Sequence, residues 1–216
     1  KATGRAAEAT FVVTNTGAAP IAIEARVLKR DIDENGENID GEEAGDFILM
    51  PTQFVVPPSQ TQSIRVRWVG ASEVSREQAY RLEVSQIPVS LDDPQANARK
   101  VDLAVSYLAN LYVGADGLKS DLSFDGWRME RDAEGKAQLV FTAENKGSRR
   151  AVISGGDLEL SVGQSRVTLK GTEGQLEALG TYTVLPGARR VLRMPWPQGL
   201  AEGAPTVRYA PLYLVQ

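Results

Sequence analysis

The side chains of this chain that could do chemistry are carboxylates, lysines, serines and tyrosines, because histidine and cysteine are both absent. Their absence excludes serine–histidine catalysis, thiol nucleophiles, disulfides and the common histidine- or cysteine-ligated zinc sites. We therefore expect a protein that is not an enzyme. The sequence predicts no catalytic residue, no metal, no cofactor and no small-molecule substrate.

The densest group of potential metal ligands is an acidic segment in the first half of the chain. Its oxygen-bearing side chains are Asp31, Asp33, Glu34, Asn35 and Glu37. Their spacing differs from that of a calcium-binding EF-hand loop, and the final glutamate of such a loop is missing. Asn35-Gly36 is a typical hairpin turn. A solvated acidic hairpin tip is therefore the favoured interpretation, with a calcium loop as the alternative.

The elements that position these side chains are predicted to be strands. Apolar and polar residues alternate through residues 9–14, 21–27, 63–68 and 80–85, with glycine, proline and asparagine between such segments. A chain of 216 residues with 42% hydrophobic and 24% charged residues is long enough for one large domain or two ordinary ones. We predict an all-β chain of antiparallel strands, each with one buried face.

Two patterns of the first half recur in the second half. Residues 11–17, FVVTNTG, are matched by residues 141–147, FTAENKG, and each is followed by a short apolar strand. Residues 58–68 align without gaps on residues 186–196, and both segments end in tryptophan. Because the two matches keep nearly the same offset, the sequence predicts two tandem copies of an immunoglobulin-like β-sandwich.

A turn-like segment at residues 114–117 separates the two copies. We expect one immunoglobulin-like domain over residues 1–114 and a second over residues 118–216. Trp68 and Trp196 occupy matched positions, and we expect them to close equivalent ends of the two cores. The net charge of −4 provides no basic field that would attract nucleic acid.

Residues 101–113 form the most informative segment, because they are long for a strand, which usually has about five or six residues. One face carries an apolar row: Val101, Leu103, Val105, Tyr107, Ala109, Leu111 and Val113. Such a row on an edge strand can bind a partner through backbone hydrogen bonds and alternate side chains. It can also promote self-association through the exposed edge. The alternative is the last strand of an ordinary sandwich.

The first domain resembles the amino-terminal domain of the periplasmic pilus, or fimbrial, chaperone family. The resemblance covers most of residues 9–113, and the second domain matches only by position and strand content. The residues that carry its signature are Asn15, Pro51, Arg65, Glu77, Tyr80, Arg81 and Pro88. Each motif alone is weak, and their combination before a variable loop and a long last strand is fairly specific.

The resemblance implies a boomerang of two immunoglobulin-like domains in the periplasm. Such a chaperone serves fimbrium biogenesis, or pilus assembly: it binds subunits that lack a final strand and delivers them to an outer-membrane usher. Its own strand completes the subunit fold by donor-strand complementation, here with Val101, Leu103, Val105 and Tyr107 as the inserted side chains. Residues 92–100 would form the preceding loop. The alternative function is a tandem immunoglobulin-like adhesin or structural module that is unrelated to pilus assembly.

Three positions depart from the family pattern. Asn110 stands where the resemblance implies a lysine that anchors the terminal carboxylate of the subunit. Arg5 lies too close to the first predicted strand to be the family's second anchoring cation. Gly114 stands where a basic residue would face Glu77. We expect structural roles for Glu77 and Arg81, which are also candidates for an ion pair with each other.

Overall fold

The computed structural model describes residues 1–3, 7–88, 105–171 and 179–215, and the regular elements in these ranges are fifteen β-strands. The prediction of an all-β chain is confirmed. Within the same ranges, the chain contains no helix with the length and apolar character needed to cross a membrane.

The strands follow one another closely along the chain. Those of the first half are β1 (Glu8–Thr14), β2 (Ile21–Ile32), β3 (Asn38–Glu43), β4 (Phe47–Met50), β5 (Gln53–Val56), β6 (Thr61–Trp68), β7 (Gln78–Ile87) and β8 (Ser106–Val113). Those of the second half are β9 (Leu122–Arg131), β10 (Ala137–Asn145), β11 (Ala151–Val162), β12 (Ser165–Lys170), β13 (Thr181–Val184), β14 (Arg189–Pro195) and β15 (Thr206–Val215).

The chain divides into two compact units. The first unit comprises Lys1–Asp31, Asp40–Val74 and Gln78–Asp116. The second unit comprises Ile32–Ile39, Ser75–Glu77 and Gly117–Gln216, and so it includes two short segments from the first half of the chain.

The first unit is a sandwich of two antiparallel sheets. One sheet has the order β1-β6-β4, and the other has the order β3-β2-β7-β8 with β5 also paired to β2. Their inward faces bury a core that includes Val27, Val56, Ile64 and Leu82. This arrangement follows from the period-two alternation of the sequence, since one face of each sheet must exclude water.

The second unit repeats this architecture. Its sheets have the orders β14-β10-β9 and β12-β11-β13, and β15 pairs with the other edge of β11. Leu139, Phe141 and Ile153 are fully buried between the sheets, and the Trp127 ring stacks on Phe141 at 4.0 Å between centroids. The prediction of two immunoglobulin-like sandwiches is therefore confirmed.

A buried asparagine explains the first repeated sequence pattern. Asn15 follows β1 and is 3% exposed. Its Nδ2 donates to the carbonyl oxygens of Ala19, at 2.8 Å, and Val56, at 2.9 Å. Its Oδ1 accepts a hydrogen bond from the N–H of Gly17, at 2.9 Å. One side chain therefore holds the turn after β1 and joins it to β5.

Asn145 does the same in the second unit. Its Nδ2 donates to the carbonyl oxygens of Arg149, at 2.8 Å, and Val184, at 3.0 Å. Its Oδ1 accepts from the N–H of Gly147, at 3.0 Å, and from that of Asp121, at 3.1 Å. The repeat in the sequence is thus a repeat of one hydrogen-bonded turn, because the same buried polar groups must be satisfied twice.

The two tryptophans at matched positions also have matched environments. Trp68 Nε1 donates to the carbonyl oxygen of Ala71 at 3.0 Å, and Trp196 Nε1 donates to that of Leu200 at 3.1 Å. Each ring packs against the core of its own unit. Both indole rings therefore bury their apolar surface and keep the N–H satisfied, as buried tryptophan requires.

In the acidic hairpin tip, the carboxylate of Asp33 has a structural role. Asp33 Oδ1 accepts hydrogen bonds from the N–H groups of Asn35, at 2.9 Å, and Glu37, at 2.8 Å. Asp132 Oδ1 accepts from Glu134 and Lys136 in the corresponding turn of the second half, at 3.0 and 2.9 Å. The carboxylate of Asp33 therefore closes a tight turn, which supports the interpretation as a hairpin tip.

Replacing Asn145 tests the turn that this side chain holds. Asn145→Ala removes four hydrogen bonds and leaves buried carbonyl and N–H groups without partners. We expect the free energy of unfolding to fall by about 2–4 kcal/mol, measured by chemical denaturation. The exposed Asn110→Ala, in β8, is the matched control and should change stability by less than about 0.5 kcal/mol. Equal effects of the two substitutions would contradict this role of Asn145.

Candidate functional site: the outer strand β8

Strand β8 lies at one side of the five-stranded sheet. In the described part of the chain it pairs only with β7, in an antiparallel register that places Tyr107 opposite Val84 and Leu111 opposite Tyr80. Its other side therefore presents backbone N–H and C=O groups that no described strand satisfies. Such an edge is a template for one more strand.

The apolar row of β8 divides into two parts. Toward the beginning of the strand, Tyr107 is 72% exposed and the preceding Val105 is 38% exposed. Farther along, Ala109 and Leu111 are partly buried against the core of the first unit, and Val113 is 5% exposed. The same alternation therefore supplies an exposed apolar segment followed by a segment of the protein's own core.

The assignment of Ala109 and Leu111 to the partner-binding row stays a prediction, and the structure places both partly against the core of the first unit. Both side chains pack inward. The residues opposite them on β7 are Leu82 and Tyr80, which are buried in the core. Inward packing leaves them little surface to offer to another protein.

Part of the predicted binding segment cannot be placed in the same way. Val101 and Leu103 lie outside the described residues, as do residues 92–100, which the sequence assigns to the preceding loop. Arg5 also lies outside them.

The opposite face of β8 is partly apolar too, as the sequence pattern indicates. Leu108 is 51% exposed and lies opposite Glu83 of β7. Glu83 accepts a hydrogen bond from Arg26 Nε at 2.5 Å, and this bond raises the pKa of the Arg26 guanidinium. The beginning of β8 thus exposes apolar side chains on both faces, beside one ion pair.

Asn110 lies on that second face, near arginines that already have hydrogen-bond partners. It is exposed and opposite Arg81, whose Nη1 donates to Asp40 Oδ2 at 2.8 Å. The Arg81 side chain is buried, and its Nε has no hydrogen-bond acceptor among the described residues. Farther along β8, the Tyr112 hydroxyl accepts a hydrogen bond from Arg30 Nη1 of β2 at 2.8 Å. The Asn110 amide therefore lies on the same face as two guanidinium groups that already have partners within the chain.

Glu77 and Arg81 do not pair with each other, which corrects that expectation. Each has a different partner among the described residues, and Arg81 Nη1 pairs with Asp40 Oδ2 at 2.8 Å. Instead, in the second unit, Glu77 Oε2 accepts from Arg150 Nη1 at 2.5 Å and Oε1 accepts from the Arg150 backbone N–H at 3.1 Å. Arg150 is thus a cationic partner of Glu77 that comes from a distant part of the chain.

The other signature residues have structural surroundings. Tyr80 is buried against the rings of Phe47 and Trp68, and this burial raises the pKa of its hydroxyl. Arg65 pairs with Glu8 at 2.9 Å on the surface. The remaining two residues are Pro51, which directly follows β4 through a cis peptide bond, and Pro88, which directly follows β7.

A comparison with protein-family models shows the family to which the chain belongs. Residues 2–118 match the family described as "Pili and flagellar-assembly chaperone, PapD N-terminal domain". The matched region includes the whole of β1 to β8. The chain belongs to this family of pili and flagellar-assembly chaperones. No curated protein matches it significantly.

Solved structures of similar fold extend over both units. The class 5 fimbriae chaperone CfaA is 13% identical, with 95% of this chain and 93% of that chain covered and a TM-score of 0.56. A chain of the CsuC–CsuE complex of Acinetobacter baumannii pili is 16% identical, with coverages of 96% and 90% and a TM-score of 0.55. A chain of the Salmonella enterica SafA pilin–SafB chaperone complex is 17% identical, with coverages of 95% and 90% and a TM-score of 0.54. At such identities the likeness shows the fold alone.

The division of β8 can be tested through stability. Leu111→Ala should lower the free energy of unfolding by about 1–3 kcal/mol, because it removes packing against the core. Tyr107→Ser should change it by less than about 0.5 kcal/mol, because the Tyr107 side chain is largely in water. Chemical denaturation of both variants gives the comparison. A loss for Tyr107→Ser as large as that for Leu111→Ala would contradict the division.

Proposed function

We propose that this chain is a periplasmic chaperone that binds pilus subunits by donating the strand that contains β8, and that it passes them to an outer-membrane usher. The observation that carries the proposal is the outer side of β8, where a backbone edge that no described strand covers coincides with the exposed side chains of Val105 and Tyr107. Membership of the pili and flagellar-assembly chaperone family supports this function over that of an unrelated adhesin.

The energetic basis of this function is burial of apolar surface. A subunit that lacks a strand exposes an apolar groove together with unpaired backbone groups. The donated strand would insert Val101, Leu103, Val105 and Tyr107, and each buried side chain contributes roughly 1.5–3 kcal/mol before ordering costs. Ala109 and Leu111 would hold the strand in register from the core side. Because burial supplies the free energy, the process needs no nucleotide or other cofactor.

The family and the related complexes support the cellular setting of the proposal. The similar structures include a chaperone–pilin complex and a chaperone–tip adhesion subunit complex, each formed by its own partners. We propose a pilus subunit as the partner here, an usher as the next recipient and the periplasm as the compartment. We keep residues 1–114 and 118–216 as the proposed domains, with the subunit-binding strand at the end of the first.

A double substitution on β8 tests strand donation. Val105→Asp with Tyr107→Asp would place two charges in the apolar groove of the subunit, where desolvation is costly. We expect recovery of a co-expressed pilus subunit by affinity purification to fall at least tenfold, about 1.4 kcal/mol. The chain should remain folded because both side chains are exposed.

The matched control for this experiment is Leu212→Asp, which changes an exposed leucine in β15 of the second unit. It should leave subunit recovery unchanged, and circular dichroism should show both variants folded. Undiminished recovery with the folded double variant would refute strand donation through β8.

We further propose that Asn110 receives the terminal carboxylate of the subunit as a hydrogen-bond donor, in place of the lysine that the family pattern implies. The nearby guanidinium groups of Arg81 and Arg30 favour an anion there, although both have partners within the chain. An amide–carboxylate hydrogen bond is weaker than one made by an ammonium group. The carboxylate anchor of this chain should therefore be weak.

Asn110→Lys is expected to increase subunit recovery several-fold, because the new ammonium group would pair with the carboxylate. The control is the same subunit extended at its carboxyl end by a short tag, which moves the carboxylate away. The gain should disappear with the extended subunit. An equal gain with both subunits would show that the added charge acts elsewhere.

A further inference from the structure

The outer face of the β1-β6-β4 sheet is unusually apolar at one side. Along β4, Phe47 and Leu49 pack inward, whereas Ile48 and Met50 point outward. Ile48 is 50% exposed and Met50 is 68% exposed. The solvent face of an antiparallel sheet is usually polar, so two neighbouring apolar side chains on an outer strand require an explanation.

The register of the sheet places two arginines directly beside this apolar pair. Ile48 is opposite Arg67 of β6, and Met50 is opposite Arg65. Adjacent strands are about 4.8 Å apart, so each arginine stem can lie against its apolar neighbour while the guanidinium remains in water. We call these four residues the β4 surface: Ile48, Met50, Arg65 and Arg67.

The cations of the β4 surface are available to an anionic partner. Arg65 pairs with Glu8 of β1 at 2.9 Å, but their side chains are 68% and 37% exposed, and such surface pairs contribute little. Arg67 is opposite Glu8 in the register and forms no ion pair with the described residues. The surface carries a net positive charge although the whole chain has a net charge of −4.

The backbone beside the apolar pair is accessible as well. Within the described residues, β4 pairs with β6 and with no other strand. An extended segment could therefore lie along β4, with alternate side chains facing the same surface. Since β8 belongs to the other sheet of the unit, the β4 surface is distinct from the proposed subunit-binding strand.

We propose that the β4 surface docks an extended acidic segment of a partner protein that has apolar side chains among its carboxylates. The apolar side chains would pack on Ile48 and Met50, and the carboxylates would pair with Arg67 and, by exchange with Glu8, with Arg65. Two arginines are too few for an anionic membrane, which is typically bound by clusters of about four to eight cations. An exposed apolar pair beside them is also unsuited to nucleic acid.

A synthetic peptide of alternating glutamate and leucine is the probe for this surface. Its binding to the full chain is measured by fluorescence anisotropy and compared with that of a peptide in which lysine replaces glutamate. We expect the acidic peptide to bind at least about tenfold more tightly, and its affinity to fall as salt is added. Arg67→Glu should weaken its binding about tenfold, and Met50→Thr several-fold.

The controls separate this surface from the other exposed apolar positions. Leu212→Thr removes a similarly exposed leucine in β15, and Arg128→Glu reverses a charge in β9; both should leave peptide binding unchanged. Arg67→Glu should also leave recovery of a co-expressed pilus subunit unchanged. Equal binding of the acidic and basic peptides, or full binding by Arg67→Glu, would overturn the proposal. A change of oligomeric state in Arg67→Glu during sedimentation would also overturn it, since the occupant would then be a second copy.

Discussion

The interaction on which each sandwich most depends is a hydrogen-bonded asparagine amide between its layers. Asn15 and Asn145 are almost completely buried, and each satisfies backbone groups of its own turn and of a strand distant in the chain. Apolar packing alone has no direction, so it cannot determine where one strand must end and the next begin. The amide determines this, because its donors and acceptor are costly to leave unmade in the interior.

With its layers held in this way, the first unit contains a strand that, among the described strands, is paired on one side only. The later half of β8 contributes Leu111 and Val113 to the core, and its earlier half leaves Tyr107 and Leu108 in water. The buried half keeps the strand in register, which places the exposed half at the edge of a finished sheet. An edge of this kind would ordinarily be an aggregation hazard, and under the proposed function a bound subunit would cover it.

The charged signature residues show where reasoning from local sequence fails. Glu77 and Arg81 are close in sequence, yet each pairs with another residue. Their real partners, Arg150 and Asp40, are distant in the chain. Ion pairs of this kind depend on which segments the fold brings together. A sequence motif contains only one member of each pair. The exposed Ile48 and Met50 are a similar case, because only the register shows that two arginines adjoin them.

The sequence by itself determined the strands, the two sandwiches and the repeated Phe–Asn–Gly pattern, because period-two alternation and turn residues act locally and the repeat made them visible twice. The resemblance also identified the family, which the match over residues 2–118 confirmed. Only the tertiary structure decided that Ala109 and Leu111 face inward while Tyr107 faces water, since all three occupy the same alternation. The difference arises from how far the core of the sandwich extends beneath the strand, and that depends on residues contributed by every other strand of the unit.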